Sequence, residues 1–254
     1  MTAALSTLLP APLLAAVGQV GEGFFHERSS DTLPCQAQPG HLFCFDWARE
    51  HIDRFEQPAL QQLELVVLSV LLGFVVAFAL ALIAHRKHWL RPPLLAVTGV
   101  LYTIPSIAFF FLLLPLTGFG RDTAIIVLAA YTLQIIYRNT MVGLAKVPAS
   151  VKDAARGMGL TDRQILWRVE IPLATPEIIA GLRIATVSTV AIATLAVFIQ
   201  AGGLGTQIYG SGNLTFPTVV IIAGAIGMLM AFAFDLMLLG VQRLTTPWRR
   251  AVVT

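Results

Sequence analysis

The run Leu63-Glu-Leu-Val-Val-Leu-Ser-Val-Leu-Leu-Gly-Phe-Val-Val-Ala-Phe-Ala-Leu-Ala-Leu-Ile-Ala84 decides the fold. A helix needs about 20 mainly apolar residues to cross the hydrocarbon layer of a bilayer, and this stretch meets that length. Three more do so cleanly: residues 94–116, 178–199 and 219–241. A fifth, 123–137 continuing to 145, is shorter and interrupted by Arg138 and Asn139. It counts as a span because its neighbours otherwise could not keep consistent sides. Residues 3–20 are apolar but hold Pro10 and Pro12, with no Lys or Arg before them. They read as a sixth span or a poor signal sequence, and the missing basic n-region favours the span. The expected fold is an all-α integral membrane protein with five clear transmembrane helices and a candidate sixth at the N-terminus.

Composition agrees. Of 254 residues, 56% are apolar and 12% charged, where soluble domains average about 25% charged. The net charge of +3 invites a nucleic-acid reading, but the basic residues sit beside apolar runs, where membrane topology places them. Arg86, Lys87 and Arg91 follow the first span. Arg138, Lys146, Lys152, Arg156, Arg163 and Arg168 follow the third, and Arg243, Arg249 and Arg250 the last. Only Arg28, Arg49, Arg54 and Arg121 face the other way. Positive residues stay inside, so the loop 146–172 and the tail 243–254 are expected in the cytoplasm. The segment 22–62 is then extracytoplasmic and carries Cys35 and Cys44. A disulfide between them would close a short loop in an oxidising compartment; two unpaired thiols in an extension is the other reading.

Within the domain 63–242, the cytoplasmic loop is Lys146-Val-Pro-Ala-Ser-Val-Lys-Asp-Ala-Ala-Arg-Gly-Met-Gly-Leu-Thr-Asp-Arg-Gln-Ile-Leu-Trp-Arg-Val-Glu-Ile-Pro172. It predicts two short helices joined by a glycine turn. Ser150 is the expected cap of the first, with Asp153 near the positive end of its dipole. Val151, Ala154, Ala155 and Met158 recur at helical spacing as one apolar stripe, with Lys152, Asp153 and Arg156 facing elsewhere. Gly159 can take the left-handed conformation that closes a helix. Thr161 and Gln164 have capping-box spacing for the second helix, and Pro172 is expected to end it. The product is a rigid, exposed hairpin suited to docking on another protein. A DNA-binding helix-turn-helix would need a third packing helix and freedom to reach DNA, which a tether at both ends denies. An amphipathic connector lying on the membrane is the plainer alternative.

Asp153-Ala154-Ala155, Gly159 and Val169-Glu170-Ile171-Pro172 resemble the Glu-Ala-Ala loop of the binding-protein-dependent permeases of ATP-driven importers. In that pattern Gly follows three residues after Glu-Ala-Ala, and Ile-x-Leu-Pro follows nine further on. The spacing agrees throughout, while Asp153, Val169 and Ile171 replace Glu, Ile and Leu. The resemblance implies a type I importer permease fold and makes Asp153, Ala154, Ala155, Met158, Gly159 and Pro172 the contact with a separate ATP-binding cassette subunit. Tyr102-Thr-Ile-Pro-Ser-Ile-Ala108, Tyr137-Arg-Asn-Thr140 with Gly143-Leu144, and Ala201-Gly-Gly-Leu-Gly205 are similar to the osmoprotectant importers, which carry glycine betaine, choline, carnitine or related quaternary amines. The resemblance covers roughly residues 47–243. It implies an extracytoplasmic substrate-binding protein, a second permease subunit of the same or a sister chain, and a bacterial inner-membrane location. ATP and Mg would then belong to the partner ATPase. A permease for another small solute such as methionine is the rival within the family, since Ala-Gly-Gly-Leu-Gly is shared more widely.

Pro105 and Pro115 are expected to kink the second span, because proline removes a helix hydrogen bond. The resemblance makes the turn at Thr103, Pro105 and Ser106 a pathway element. Gly202, Gly203 and Gly205 allow a tight turn on the outer face, read as an outer gate. They lack the third glycine of a dinucleotide loop, and no strand precedes them. Arg183 and Asp235 lie about 10 Å and 9 Å inside their spans at 1.5 Å per residue. Opposite charges at one depth should pair, since a lone charge there is costly. Alternatively Arg183 snorkels to the surface. His85 and His88 sit among cations and read as interface residues, so no metal site is expected. The chain has no Walker A, His-Glu-x-x-His or Gly-x-Ser-x-Gly sequence, so it is not expected to be an enzyme. A secondary transporter, the rival of a different class, should show internal repeats and more intramembrane charge.

Overall fold

The computed structural model describes residues 43–210 and 217–247. The apolar stretch 1–21, the segment up to residue 42 and Cys35 lie outside the described residues. Cys44 is buried and disulfide-bonded. The chain divides at Cys44, and the unit beginning at Phe45 carries the membrane spans.

The unit is helical. After the short α1 (Phe45–Glu50) come α2 (Glu56–Arg86), α3 (Arg91–Thr103), α4 (Ser106–Thr117), α5 (Arg121–Ala145), α6 (Ala149–Gly157), α7 (Asp162–Ile165), α8 (Ile171–Ala193), α9 (Gly205–Tyr209) and α10 (Pro217–Thr245). Among the described residues four helical stretches are long and apolar enough to cross a membrane: Ile52–Arg86, Arg121–Ala145, Asp162–Ile199 and Pro217–Thr245. The bent pair α3–α4 makes a fifth if counted as one span.

Small residues set the packing. Lipid offers apolar side chains no less than a neighbouring helix does, so spans associate where backbones can approach closely. Gly73 of α2 faces Thr132 of α5 so tightly that a methyl group on it would lie 1.7 Å from Oγ1 of Thr132. Gly143 of α5 meets Ala174 and Glu177 of α8, and Gly181 of α8 meets Asn139. α5 is thus the central helix, wedged between α2 and α8. It runs unbroken through Arg138 and Asn139; the Asn139 amide donates to Ile135 O of its own helix at 2.8 Å. Buried threonines do likewise: Thr132, Thr186 and Thr189 donate to carbonyls of their own helices at 2.7 Å. This satisfies hydroxyls that would otherwise be orphaned away from water.

Three expectations need correcting. Only Pro105 breaks the second span. Ile104 and Pro105 are extended, with ψ of 129° and 132°, and α3 and α4 meet at 101°. A residue before proline is pushed out of the helical region, so the break begins one residue early. Pro115 stays inside α4, where the helix ends two residues later and little remains to bend. Pro172 does not end a helix either. α7 passes through a π-helical turn, Leu166–Glu170, directly into α8. Proline collides with the carbonyl four residues back, and for Pro172 that carbonyl, Arg168 O, lies within the wide π turn. Asp162–Ile199 is therefore one rod. Finally, Ser150 does not cap α6. Pro148 precedes the helix, no side-chain cap forms, and Asp153 lies beyond the first turn.

Candidate functional site: a capped hairpin and the rod it joins

The α6–α7 hairpin is closed by backbone bonds that follow from Gly159. Its φ is +83°, a region that L side chains enter at a cost. The conformation lets Leu160 N donate to Ala155 O at 3.2 Å and Gly159 N to Arg156 O at 2.9 Å. Those two bonds are the Schellman closure of a helix C-terminus. Thr161 then begins α7 with a complete capping box: Gln164 N donates to Thr161 Oγ1, and Thr161 N donates to Gln164 Oε1 at 2.8 Å.

The stripe of α6 is divided. Val151, Ala154 and Met158 are exposed, Met158 at 73%. Ala155 is buried at 2% and faces the rest of the protein, as does Lys152. Asp153 is exposed and pairs within its own helix with Arg156, 3.3 Å away. The outward surface is therefore Val151, Ala154 and Met158, flanked by charge.

What holds the hairpin was not visible in the sequence. Glu170, in the π turn, is buried at 6%. Its Oε1 lies 3.0 Å from Lys152 Nζ of α6, and its Oε2 lies 2.5 Å from His85 Nε2 of α2. One carboxylate thus ties the hairpin, the start of the rod and the end of α2 together. His85, at the end of α2, is thus the packing partner of Glu170. Lys146 adds a second tie, 2.6 Å from Glu177 of α8.

At the other end of the rod the chain turns twice more. Gln200 is left-handed at φ +60°; Gln200 N donates to Val197 O and Ala201 N to Ala196 O, at 3.0 and 3.1 Å. Gly202 and Gly203 come next at φ +84° and +86°. Gly203 N donates to Gln61 Oε1 at 3.1 Å, and Leu204 N to Gln62 Oε1 at 3.2 Å. The fully buried Gln62 also donates from Nε2 to Val190 O at 2.8 Å. Gly205 is needed for space: a methyl group there would lie 1.9 Å from Thr194 O.

Thr103, Pro105 and Ser106 form the break between α3 and α4, and Ile104 within it packs on the core cluster that includes Ala196 and Ile199. Thr103 Oγ1 donates to Val100 O at 2.8 Å. The carbonyl freed at Ile104 accepts from Tyr131 Oη of α5, whose ring also packs edge-on against Tyr102 and Phe109. Arg183 and Asp235 are joined: Nε donates to Oδ1 at 2.8 Å and Nη2 to Oδ2 at 2.7 Å. Gln242 supports them, accepting from Arg183 Nη1 at 3.5 Å and donating to Pro176 O at 3.0 Å. Among the described residues no cluster of His, Cys, Asp and Glu is arranged to hold a metal.

Residues 69–250 match the family model described as the binding-protein-dependent transport system inner membrane component. The chain belongs to that family. The permease is 37% identical over 185 residues to the glycine betaine/carnitine/choline transport system permease protein OpuCD of Bacillus subtilis, covering 72% of this chain and 81% of that one. It is 38% identical to the choline transport system permease protein OpuBD of the same organism, over 66% and 75% of the two chains. It is 37% identical to the osmoprotectant import permease protein OsmW of Salmonella typhimurium, over 74% and 89%. Among solved structures, the permease superposes on a chain of the inward-facing MetNI methionine ABC transporter with a TM-score of 0.64. That match has 23% identity and covers 76% of this chain and 98% of the other. A chain of an amino acid ABC transporter solved with histidines superposes at 0.67, with 20% identity over 79% and 98%. The fold is that of a type I importer permease, a multi-pass membrane protein.

Gln61, Gln62, Tyr131 and Glu170 join the permease's candidate residues from the structure alone. Glu170 stands in the Val169-Glu170-Ile171-Pro172 stretch of the sequence, but nothing there names Lys152 and His85 as its partners. The glutamines had no signal, since their partners are 142 positions away.

Proposed function

We propose that this permease is the membrane-spanning subunit of an ATP-driven importer of quaternary-amine osmoprotectants of the glycine betaine, choline and carnitine type. A separate ATP-binding cassette subunit docks on the α6–α7 hairpin and supplies the hydrolysis. An extracytoplasmic binding protein delivers solute at the end of the bundle that carries Gly202, Gly203 and Gly205. A second permease subunit completes the conduit, and the hairpin and the C-terminal tail lie in the cytoplasm of a bacterial inner membrane. The solute class rests on the relatives from Bacillus subtilis and Salmonella typhimurium, and the orientation on the excess of Lys and Arg around the hairpin.

The observation that carries the mechanism is continuity. A hairpin fixed by Gly159 and the capping box joins, with no loop, a rod that spans the bundle. Movement of the partner against Val151, Ala154 and Met158 shifts the rod as a unit. Glu170 passes the same displacement to α2 through His85. The far end of the rod then moves against Gln61 and Gln62. ATP drives this only if the partner binds it better in one state than in the other. Asp153, Ala155 and Gly159 set the docking geometry, and the Thr103–Pro105–Ser106 turn lies along the conduit.

The test is reconstitution of the complex co-purified from native membrane, with ATP inside vesicles. ATP-dependent uptake of glycine betaine or choline, with matching stimulation of ATP hydrolysis, is the expected result. Stimulation by methionine and by neither of those solutes would reassign the cargo. Uptake by the permease alone, driven by an ion gradient, would refute the importer reading.

A further inference from the structure

The outward faces of the spans are not alike. On α2 the exposed positions include Leu63, Val67, Leu71 and Val75, an aliphatic surface suited to lipid. On α8 the corresponding line is Ala180, Arg183, Ile184, Val187 and Ser188, in which a charge, a hydroxyl and an alanine interrupt the exposed Ile184 and Val187. The side chains of Arg183 and Asp235 remain 25% and 31% exposed although paired. They border a depression of about 400 Å³ between α8 and α10, walled by Ala180, Ile184, Val187 and Ser188.

Charges within a span are costly against acyl chains, and they face water-filled cavities or other protein. A pair left partly uncovered at this depth faces a cavity or a protein partner, and the depression beside it leaves room for water and a small solute. Its chemistry is specific. The guanidinium presents a planar fork that fits a carboxylate. Beside it stands a carboxylate, and the remaining walls are apolar except for Ser188. A quaternary ammonium has no N–H to donate, so it needs a nearby negative charge and apolar walls for its methyl groups.

We propose that Arg183, Asp235 and the depression beside them form a transit site for small zwitterions bearing a carboxylate and a quaternary ammonium. The proposal rests on the importer reading. The solute's carboxylate takes the Arg183 fork, and its ammonium lies against Asp235, Ile184 and Val187. An internal ion pair is exchanged for two external ones, so few interactions are gained in net. Weak binding of this kind suits a site that must release what it admits. Gln242 holds Arg183 from behind during the exchange, through its bond to Pro176 O.

The test is uptake by the reconstituted complex, with glycine betaine and choline as probes. Choline has the same ammonium and no carboxylate. Arg183→Lys keeps the charge and loses the fork. It is expected to lower the betaine-to-choline uptake ratio at least fivefold relative to wild type, a comparison in which the binding protein's own preference cancels. The double variant Arg183→Gln/Asp235→Asn leaves no unpaired charge in the membrane. It is expected to lower uptake of both solutes, betaine the more. An unchanged ratio in Arg183→Lys, or parallel loss of both solutes in both variants, makes the pair purely structural and overturns the proposal. A wild-type complex that moves neither solute sinks the importer reading and takes this site with it. A competent wild type with an unchanged ratio sinks the site alone.

Discussion

The two ends of the Asp162–Ile199 rod are built with one backbone device and opposite surroundings. At the hairpin end, left-handed Gly159 closes α6, and a side chain added there would meet nothing within 4 Å. At the far end, left-handed Gln200 closes the rod with the same pair of backbone bonds. The glycines after it have no room: methyl groups on Gly202 and Gly203 would lie 2.4 and 2.5 Å from the side chains of Gln61 and Gln62. The hairpin's shape is thus set by its own chain and leaves a surface open for a partner. The far loop's shape is set by α2. One end is made to be met from outside, and the other to be held from within.

Substitutions separate the two kinds of constraint. Gly205→Val should have the largest effect, because the new side chain collides with backbone at Thr194 and no rotamer relieves it. Overpacking of this sort costs about 1–3 kcal/mol and sometimes more; loss of the assembled permease from detergent-solubilised membranes is the expected readout. Gln62→Leu comes next. It removes the buried acceptor of Leu204 N, at about 1–3 kcal/mol for the donor left unsatisfied. The expected outcome is a lower thermal midpoint, together with protease cleavage near residue 203. Gly159→Val is milder for the fold. A β-branched residue at this φ costs about 1–2 kcal/mol, confined to the hairpin, so the spans should insert and assemble normally while ATP-dependent uptake falls at least fivefold. Thr161→Ala should be smallest, about 1 kcal/mol from a lost cap, with uptake reduced less than twofold. Equal destabilisation by Gly159→Val and Gly205→Val would erase the distinction between the ends.

The hairpin was legible in the sequence because its rules are local. A glycine after an apolar stripe and a Thr three residues before Gln specify turn and cap without reference to the rest of the chain. Arg183 and Asp235 were legible for a different reason: lone charges in a membrane are scarce enough that two at one depth find each other. The rod was not legible. Pro172 reads as a helix stop, and only the π turn before it carries the helix through, a choice made by packing Glu170 between His85 and Lys152. Periodicity also placed Ala155 on the outward stripe, yet the stripe is wider than the surface left free, and Ala155 turns inward. Pro105 and Pro115 look equivalent in sequence. They differ because Tyr131 receives the carbonyl freed at Ile104, whereas Pro115 stands where its helix is already ending.

In the proposed mechanism the open hairpin end receives the ATPase. A photo-cross-linking residue placed at Met158, the most exposed member of the stripe, tests it most directly in the complex purified from native membrane. An adduct with the ATP-binding subunit is expected at Met158, and none with the same probe at Leu71 on the lipid-suited face of α2. A probe at Met158 that captures only lipid, with the ATPase present and active in the same preparation, would contradict it.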